Sequence, residues 1–294
     1  GKAAEAVRYF TAAVALRPNN PGVLVNRAQA LSEAHDVEAA ILDLRRAAAL
    51  APNYAVAHTS LGHALFVKGD QEGALAALRR AIALDPKSGR ALSNIGLVYM
   101  DRGDLAVAVE FQRKALAADP KDRTTRFHVG EALGRLGKWQ EAISSYEDLT
   151  RLLPNDAWGF NQLAWLLATC PDANLRDGAR AVEMAKKGHQ IGKSDGFSWN
   201  TLGVAHYRAG NWTEAVAALQ RSRELFAGRR DAMNTCFLAM ANWRLGNKRE
   251  ARKWYDQAVE WMEKNEPEDE FIGEYLRRFH AEAEELLGVK EKKQ

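Results

Sequence analysis

The apolar and polar positions of the chain fall into paired helical stretches of about a dozen residues each. Residues 53–86, NYAVAHTSLGHALFVKGDQEGALAALRRAIALDP, set the type. In the first half, His58, Leu61 and Leu65 recur at helical spacing, with Gly62 on the same side. In the second half, Ala74, Leu78 and Ala81 do the same. Gly69 suits a helix C-terminus, because glycine takes the left-handed conformation without a Cβ clash. Asp70 suits the N-cap of the next helix. Pro86 stops that helix and biases the residue before it away from the α region. The stretch therefore predicts an antiparallel helical hairpin whose small residues let the two helices approach closely.

The skeleton returns when the frame moves by 34: Ile95-Gly96, Tyr99, Gly103-Asp104, Ala108, Ala115 and Pro120. Pro18, Pro52, Pro86, Pro120 and Pro154 stand 34 residues apart. A single hairpin cannot bury its apolar face, but stacked neighbours can. The pattern predicts an all-α fold, an α-solenoid of antiparallel helix pairs with no strand.

This skeleton resembles the tetratricopeptide repeat (TPR) family over nearly the whole chain. The family's small residue at unit position 8 is matched by Ala28, Gly62, Gly96, Gly130, Ala164, Gly203 and Ala239. Its alanine at position 20 is matched by Ala6, Ala40, Ala74, Ala108, Ala142, Ala181, Ala215 and Ala251. The resemblance implies a right-handed TPR superhelix, without cofactors, that binds proteins or peptides in a concave groove.

Gly1-Lys2 aligns with the turn Gly69-Asp70, so the chain is expected to begin in mid-repeat, as a fragment of a larger protein. Residues 1–20 then hold an orphan second helix, and 21–267 hold seven units. Units 21–52, 55–86, 89–120 and 123–154 are regular. In the first of these His35 replaces the turn glycine, a mild departure. In the third, Gln112 replaces an apolar residue, and Phe111 is expected to take over its packing. The fifth unit carries extra residues at 170–180, read as tolerated filler at a hairpin tip, with Pro171 ending one helix and Asp177 capping the next. The register of the sixth passes through Lys193, and the seventh is longer around Gly228, Arg229 and Arg230. Pro267 breaks the chain, and 268–294 read as a capping helix and tail, with Phe271, Tyr275 and Phe279 at four-residue spacing. Residues 199–287 also resemble the C-terminal repeat regions of large planctomycete proteins, some headed by a serine/threonine kinase domain. That resemblance implies a regulatory or substrate-recruiting arm of an enzyme domain missing at the N-terminus.

Composition narrows the function. Of 294 residues, 41 are basic and 38 acidic, a net charge of +3, too balanced to imply nucleic acid or an anionic membrane. The two cysteines, Cys170 and Cys236, make neither a disulfide framework nor a metal site, and point to a reducing, cytoplasmic compartment. No run of 18 apolar residues predicts a membrane span. No glycine-rich phosphate loop is present, and no nucleophile stands beside a base. His58 and His63 do not share a helix face well, and His206 replaces a core tyrosine. The chain is not expected to be an enzyme.

In TPR proteins the groove is lined by positions 2, 5, 6, 9, 12 and 13 of the first helices. In the early units these are Val25, Asn26, Gln29, Thr59, Ser60, His63, Arg90, Asn94 and Asp101. In the later units they are Trp158, Asn161, Trp165, Phe197, Asn200, Tyr207, Met233, Phe237, Met240 and Trp243. All eight tryptophans stand at or beyond residue 139, and Trp139, Trp212 and Trp254 are assigned to the core. The expected partner-binding surface is this aromatic half, with Arg90 and Asn94 from the polar half. The TPR subfamily that clamps a free C-terminal carboxylate needs basic and amide residues that only Arg90 supplies here, so that mode is not expected. RNA binding by a pentatricopeptide-like array needs a basic groove, and Arg90 with Arg208 does not make one. The reading is a non-catalytic protein- or peptide-binding scaffold; the sequence carries no signature of its oligomeric state.

Overall fold

The structure is a computed structural model that describes residues 1–192, 195–226, 231–265 and 270–289. Lys193, Gly228 to Arg230, Pro267 and Lys290 to Gln294, which bear on the register, insertion, break and tail expected above, lie outside the described residues. Among the described residues there are sixteen α-helices, a short 3-10 turn at Ala173–Leu175, and no strand. The all-helical solenoid is therefore observed. The chain divides into two compact units, Gly1–Gly137 and Lys138–Gln294.

The first unit holds α1 (Lys2–Leu16), α2 (Pro21–Glu33), α3 (Val37–Leu50), α4 (Ala55–Val67), α5 (Gln71–Leu84), α6 (Gly89–Asp101), α7 (Leu105–Ala118) and α8 (Arg123–Arg135). Helix ends follow the sequence signals. Helices α1, α3, α5 and α7 each stop two residues before a proline, Pro18, Pro52, Pro86 and Pro120. Asn20, Asp36, Asp70, Ser88 and Asp122 each accept a hydrogen bond from a backbone N–H three residues on, so orphan donors of the first turn are satisfied. Gly69 and Gly103 take φ of 90° and 82° between the helices of their hairpins. His35 takes φ of 64° at the corresponding place, the non-glycine residue in this left-handed role.

Hairpins close by setting small residues beneath large ones. A Cβ on Gly62 would stand 2.5 Å from Leu78 Cγ, and one on Gly96 would stand 2.6 Å from Gln112 Nε2. Gln112 itself occupies the core position and is fully buried. Phe111 does not take its place; it is half-buried and stacks on Tyr99 with ring centroids 5.8 Å apart. The polar side chain is tolerated because it is satisfied. Ser93 Oγ donates to Gln112 Oε1 at 2.9 Å, Gln112 Nε2 donates to the Ser93 carbonyl at 3.2 Å, and Thr125 Oγ1 donates to Ser93 Oγ at 2.9 Å. Between α2 and α3, Arg27 and Asp43 form a forked pair with both bonds at 2.6 Å, holding the Arg27 guanidinium above its ordinary pKa.

The second unit holds α9 (Trp139–Leu152), α10 (Ala157–Thr169), α11 (Gly178–Ile191), α12 (Gly196–Arg208), α13 (Trp212–Phe226), α14 (Asp231–Arg244), α15 (Lys248–Lys264) and α16 (Glu270–Leu287). Asp177 caps α11 by accepting from Arg180 N at 2.9 Å, as the sequence predicts. Trp254 is buried, while Trp139 and Trp212 are half-buried. His206 is buried in the core, with its imidazole pushed below its ordinary pKa first by burial and then by Lys186.

Two outcomes follow from this packing. Gly96→Leu forces a side chain into space held by the tied Gln112 amide, so destabilisation of about 1–3 kcal/mol is expected; an unchanged Tm contradicts the packing account. Helix α1 buries only Val14 among its residues and leaves Tyr9 and Leu16 72% and 84% exposed. Its amides 7–14 should exchange far faster than amides 92–99 of α6, since a helix held on one side opens at low free energy. Equal protection contradicts this.

Candidate functional site

The first-helix face of the second unit is organised around α16. That helix is amphipathic: Gly273, Tyr275, Leu276, Phe279, Ala283 and Leu287 are buried, while Glu274, Arg277, Ala281 and Glu285 are exposed. The sequence predicts a helix here that covers the last unit. In the structure α16 touches α15 but packs more on α14, the first helix of that unit, and reaches α12 and α10 as well. It lies across three first helices rather than continuing the stack.

Aromatic rings anchor it. Phe279 is fully buried, with its centroid 4.8 Å from Phe237 of α14 and 6.2 Å from Trp165 of α10. Tyr275 lies 5.9 Å from Trp165, and Tyr207 of α12 closes the cluster 5.4 Å from Phe237. Burying a ring of this size is worth about 1.5–3 kcal/mol, and each favourable ring pair adds about 0.5–1.5 kcal/mol.

Charged contacts fix the register. Arg208 of α12 donates through both Nη atoms to the Glu282 carboxylate, the Nη2–Oε2 bond being 2.7 Å. The Arg208 side chain is only 12% exposed in this pair. Its Nε donates to the Ala168 carbonyl at 3.0 Å, and Arg278 of α16 donates to the Thr169 carbonyl. Both acceptors are the last carbonyls of α10. In a regular hairpin such carbonyls are met by the turn: Gly69 N donates to Phe66 O and Asp70 N to Leu65 O. In the fifth unit, with the extra residues 170–180, Asp177 N still returns to Leu167 O, but the counterpart of the Gly69 bond, a turn N–H donated to Ala168 O, is replaced by Arg208. The insertion therefore exposes a helix end that two arginines satisfy.

Cations outnumber acids here. Burial lowers the Arg278 pKa most, and the charges of Arg208 and Arg176 lower it further, against Glu282. Arg176 Nε is buried with no hydrogen-bond partner. Cys236, fully buried on α14, has its thiol pKa pushed up to about 12 by burial first and by the Glu282 charge second. Cys170, also buried, has its pKa raised by burial.

The other residues singled out in the sequence fall in different settings. Trp158, Asn161 and Met233 are half-buried, and Met240 is fully buried. Phe197 is exposed and meets Phe226 edge-on at 4.8 Å. Asn200 donates to Asn234 Oδ1 at 2.9 Å. Trp243 carries the Lys248 ammonium 3.4 Å above its ring centroid. Arg90 and Asn94 belong to the first unit. There Arg90, His63, Gln29, Asn26 and Asp101 are exposed on the first helices, Ser60 is half-buried, and Val25 and Thr59 are buried. Asn94 is buried with Nδ2 unpartnered. Burial, then the charge of Arg90, lowers the pKa of His63. Sequence reasoning missed Arg176, Arg278 and Glu282. The available signal was the match between four-spaced aromatics at 271–279 and an aromatic lining elsewhere in the same chain.

The architecture is an α-solenoid of helical hairpins with a helix laid on its first-helix face in the second unit. Family models of the tetratricopeptide repeat match residues 1–55, 59–123 and 196–264, together more than half of the chain. The chain belongs to the tetratricopeptide repeat family. Among solved structures it is similar to PilF of Pseudomonas aeruginosa, at 19% identity and a TM-score of 0.61, over 71% of this chain and 92% of that one. It is also similar to a chain of the Cut9–Hcn1 hetero-tetramer of APC/C, at 14% and 0.64, over 82% and 46%. A third is the C-terminal part of a TPR repeat-containing protein from Cytophaga hutchinsonii, at 19% and 0.58, over 78% and 92%. At these identities the likeness is one of fold. No curated protein matches the chain in sequence. Among the described residues, no helix is long and apolar enough to cross a membrane.

Arg208→Ala should lower Tm well beyond Arg277→Ala. The Arg277–Glu270 pair is 56% and 87% exposed, and exposed pairs contribute about 0–1 kcal/mol, whereas losing Arg208 strands Glu282 and the α10 carbonyl. Equal shifts contradict this.

Proposed function

We propose that this protein is a non-catalytic, protein- or peptide-binding scaffold, and that the first-helix face of its hairpins is the recognition surface. One observation carries the reading: in the second unit this face already holds a polypeptide segment, α16, by buried rings and a forked charge pair. The same face of the first unit offers exposed Gln29, His63 and Arg90, while Asn94 lies buried beneath it. Such groups suit an extended backbone, whose carbonyls and amides need partners at regular intervals. The same surface would serve a recruiting arm of a larger, enzyme-bearing protein.

The test is site-specific crosslinking. Peptides selected from a displayed library against the full chain are captured by a photoreactive residue placed at Gln29 or His63, with Arg79 on α5 as the second-helix control. Adducts are expected at the first-helix positions and not at Arg79. Adducts confined to Arg79, or equal at all three, overturn the reading.

A further inference from the structure

Helix α16 has the form of a bound ligand. Its buried face reads as a short recognition motif, two aromatic anchors four residues apart with a carboxylate three residues beyond the second, at Tyr275, Phe279 and Glu282. Its other face is polar and exposed, so α16 is held from one side only, by the face that carries Tyr275, Leu276 and Phe279. The floor it covers joins the half-buried Trp165 to the fully buried Phe237, aromatic residues of the kind that anchor protein partners.

The fit is electrically incomplete. Four guanidinium groups, Arg208 of α12, Arg244 of α14, Arg278 of α16 and Arg176 of the loop after α10, act at this site against two carboxylates, Glu282 and Asp172. The C-terminus of α10 supplies roughly half a negative charge. Arg176 Nε stays unpartnered and buried. The floor is therefore complementary to a more acidic occupant than the one it holds.

We propose that the face formed by α10, α12 and α14 is a binding site for an acidic amphipathic helix of a protein partner. That helix bears aromatic residues at four-residue spacing, and α16 occludes the site until it displaces α16. The proposal rests on the first-helix face being the recognition surface and adds the chemical class of its ligand. A ligand must outbid an intramolecular competitor, so the apparent affinity is reduced by the fraction of molecules that are open. A carboxylate in place of Arg278 gives up the bond to the Thr169 carbonyl, an end that carries roughly half a charge, and gains the full charges of Arg176 and Arg208, so the exchange favours it.

The experiment uses the full chain and three labelled peptides of residues 270–289: the native sequence, Arg278→Gln and Arg278→Glu. Binding is read by anisotropy, and opening by the alkylation rate of Cys236, a thiol buried beside the α16 site and nearly all protonated at neutral pH. The expected order of affinity is Glu, then Gln, then Arg, with at least about tenfold between the ends, and faster Cys236 alkylation in the presence of the Glu peptide. Phe279→Ala in the full chain should raise both peptide affinity and alkylation rate. Glu282→Arg, a variant that leaves the aromatic contacts in place, should do the same if Phe279→Ala fails to fold. A native peptide that binds tightest overturns the acidic ligand. No binding of any peptide to a folded, loosened variant overturns the site itself, while crosslinking at Gln29 and His63 reports independently on the broader reading.

Discussion

The fold depends on how closely the two helices of a hairpin approach. Gly62, Gly96 and Gly203 each leave room for the side chain opposite, Leu78, Gln112 and Leu219, whose nearest atoms would lie 2.5–2.6 Å from an added Cβ. That separation is set by atomic radii, not by preference, because protein interiors have no spare volume to absorb an extra methyl group. Of the three, Gly203 stands in α12, one of the helices that carry the candidate site.

Neighbouring residues in α6 show two treatments of buried polarity. Ser93 joins Gln112 and Thr125 in a network that satisfies each named oxygen and the Gln112 amide. Asn94, one residue on, points its amide into buried space without a partner. An unmet buried donor costs about 1–3 kcal/mol. The same fold that closes one network leaves the other open, and the open one lies on the first-helix face.

Local signals were legible in the sequence. Pro86, Asp70 and Gly69 act within a turn or a cap, and the energies that fix them come from residues one to four positions away. The period of 34 then places the four regular units over residues 21–154. Two features were not legible, for the same reason. Gln112 keeps the core position because Ser93 and Thr125, 19 residues before and 13 after, satisfy it, and no local rule names them. Helix α16 was recognised as a helix, but its resting place depends on Trp165 and Thr169, the latter 109 residues from Arg278. A stack is predicted from nearest neighbours; a helix that turns back across three first helices is not a nearest-neighbour event.

The insertion at 170–180 ties these scales together. A glycine turn would have closed the end of α10 on itself, as Gly69 helps to close α4. With Pro171 and the 3-10 turn in its place, the carbonyls of Ala168 and Thr169 face the inner side without donors from their own turn. A helix C-terminus attracts cations, and Arg208 and Arg278 come to it from two other helices. Arg208 then lies where its free fork meets Glu282. At that one irregular turn the carbonyl end of α10, two arginines and the Glu282 carboxylate meet, so the departure from the repeat and the place where α16 rests are one electrostatic construction.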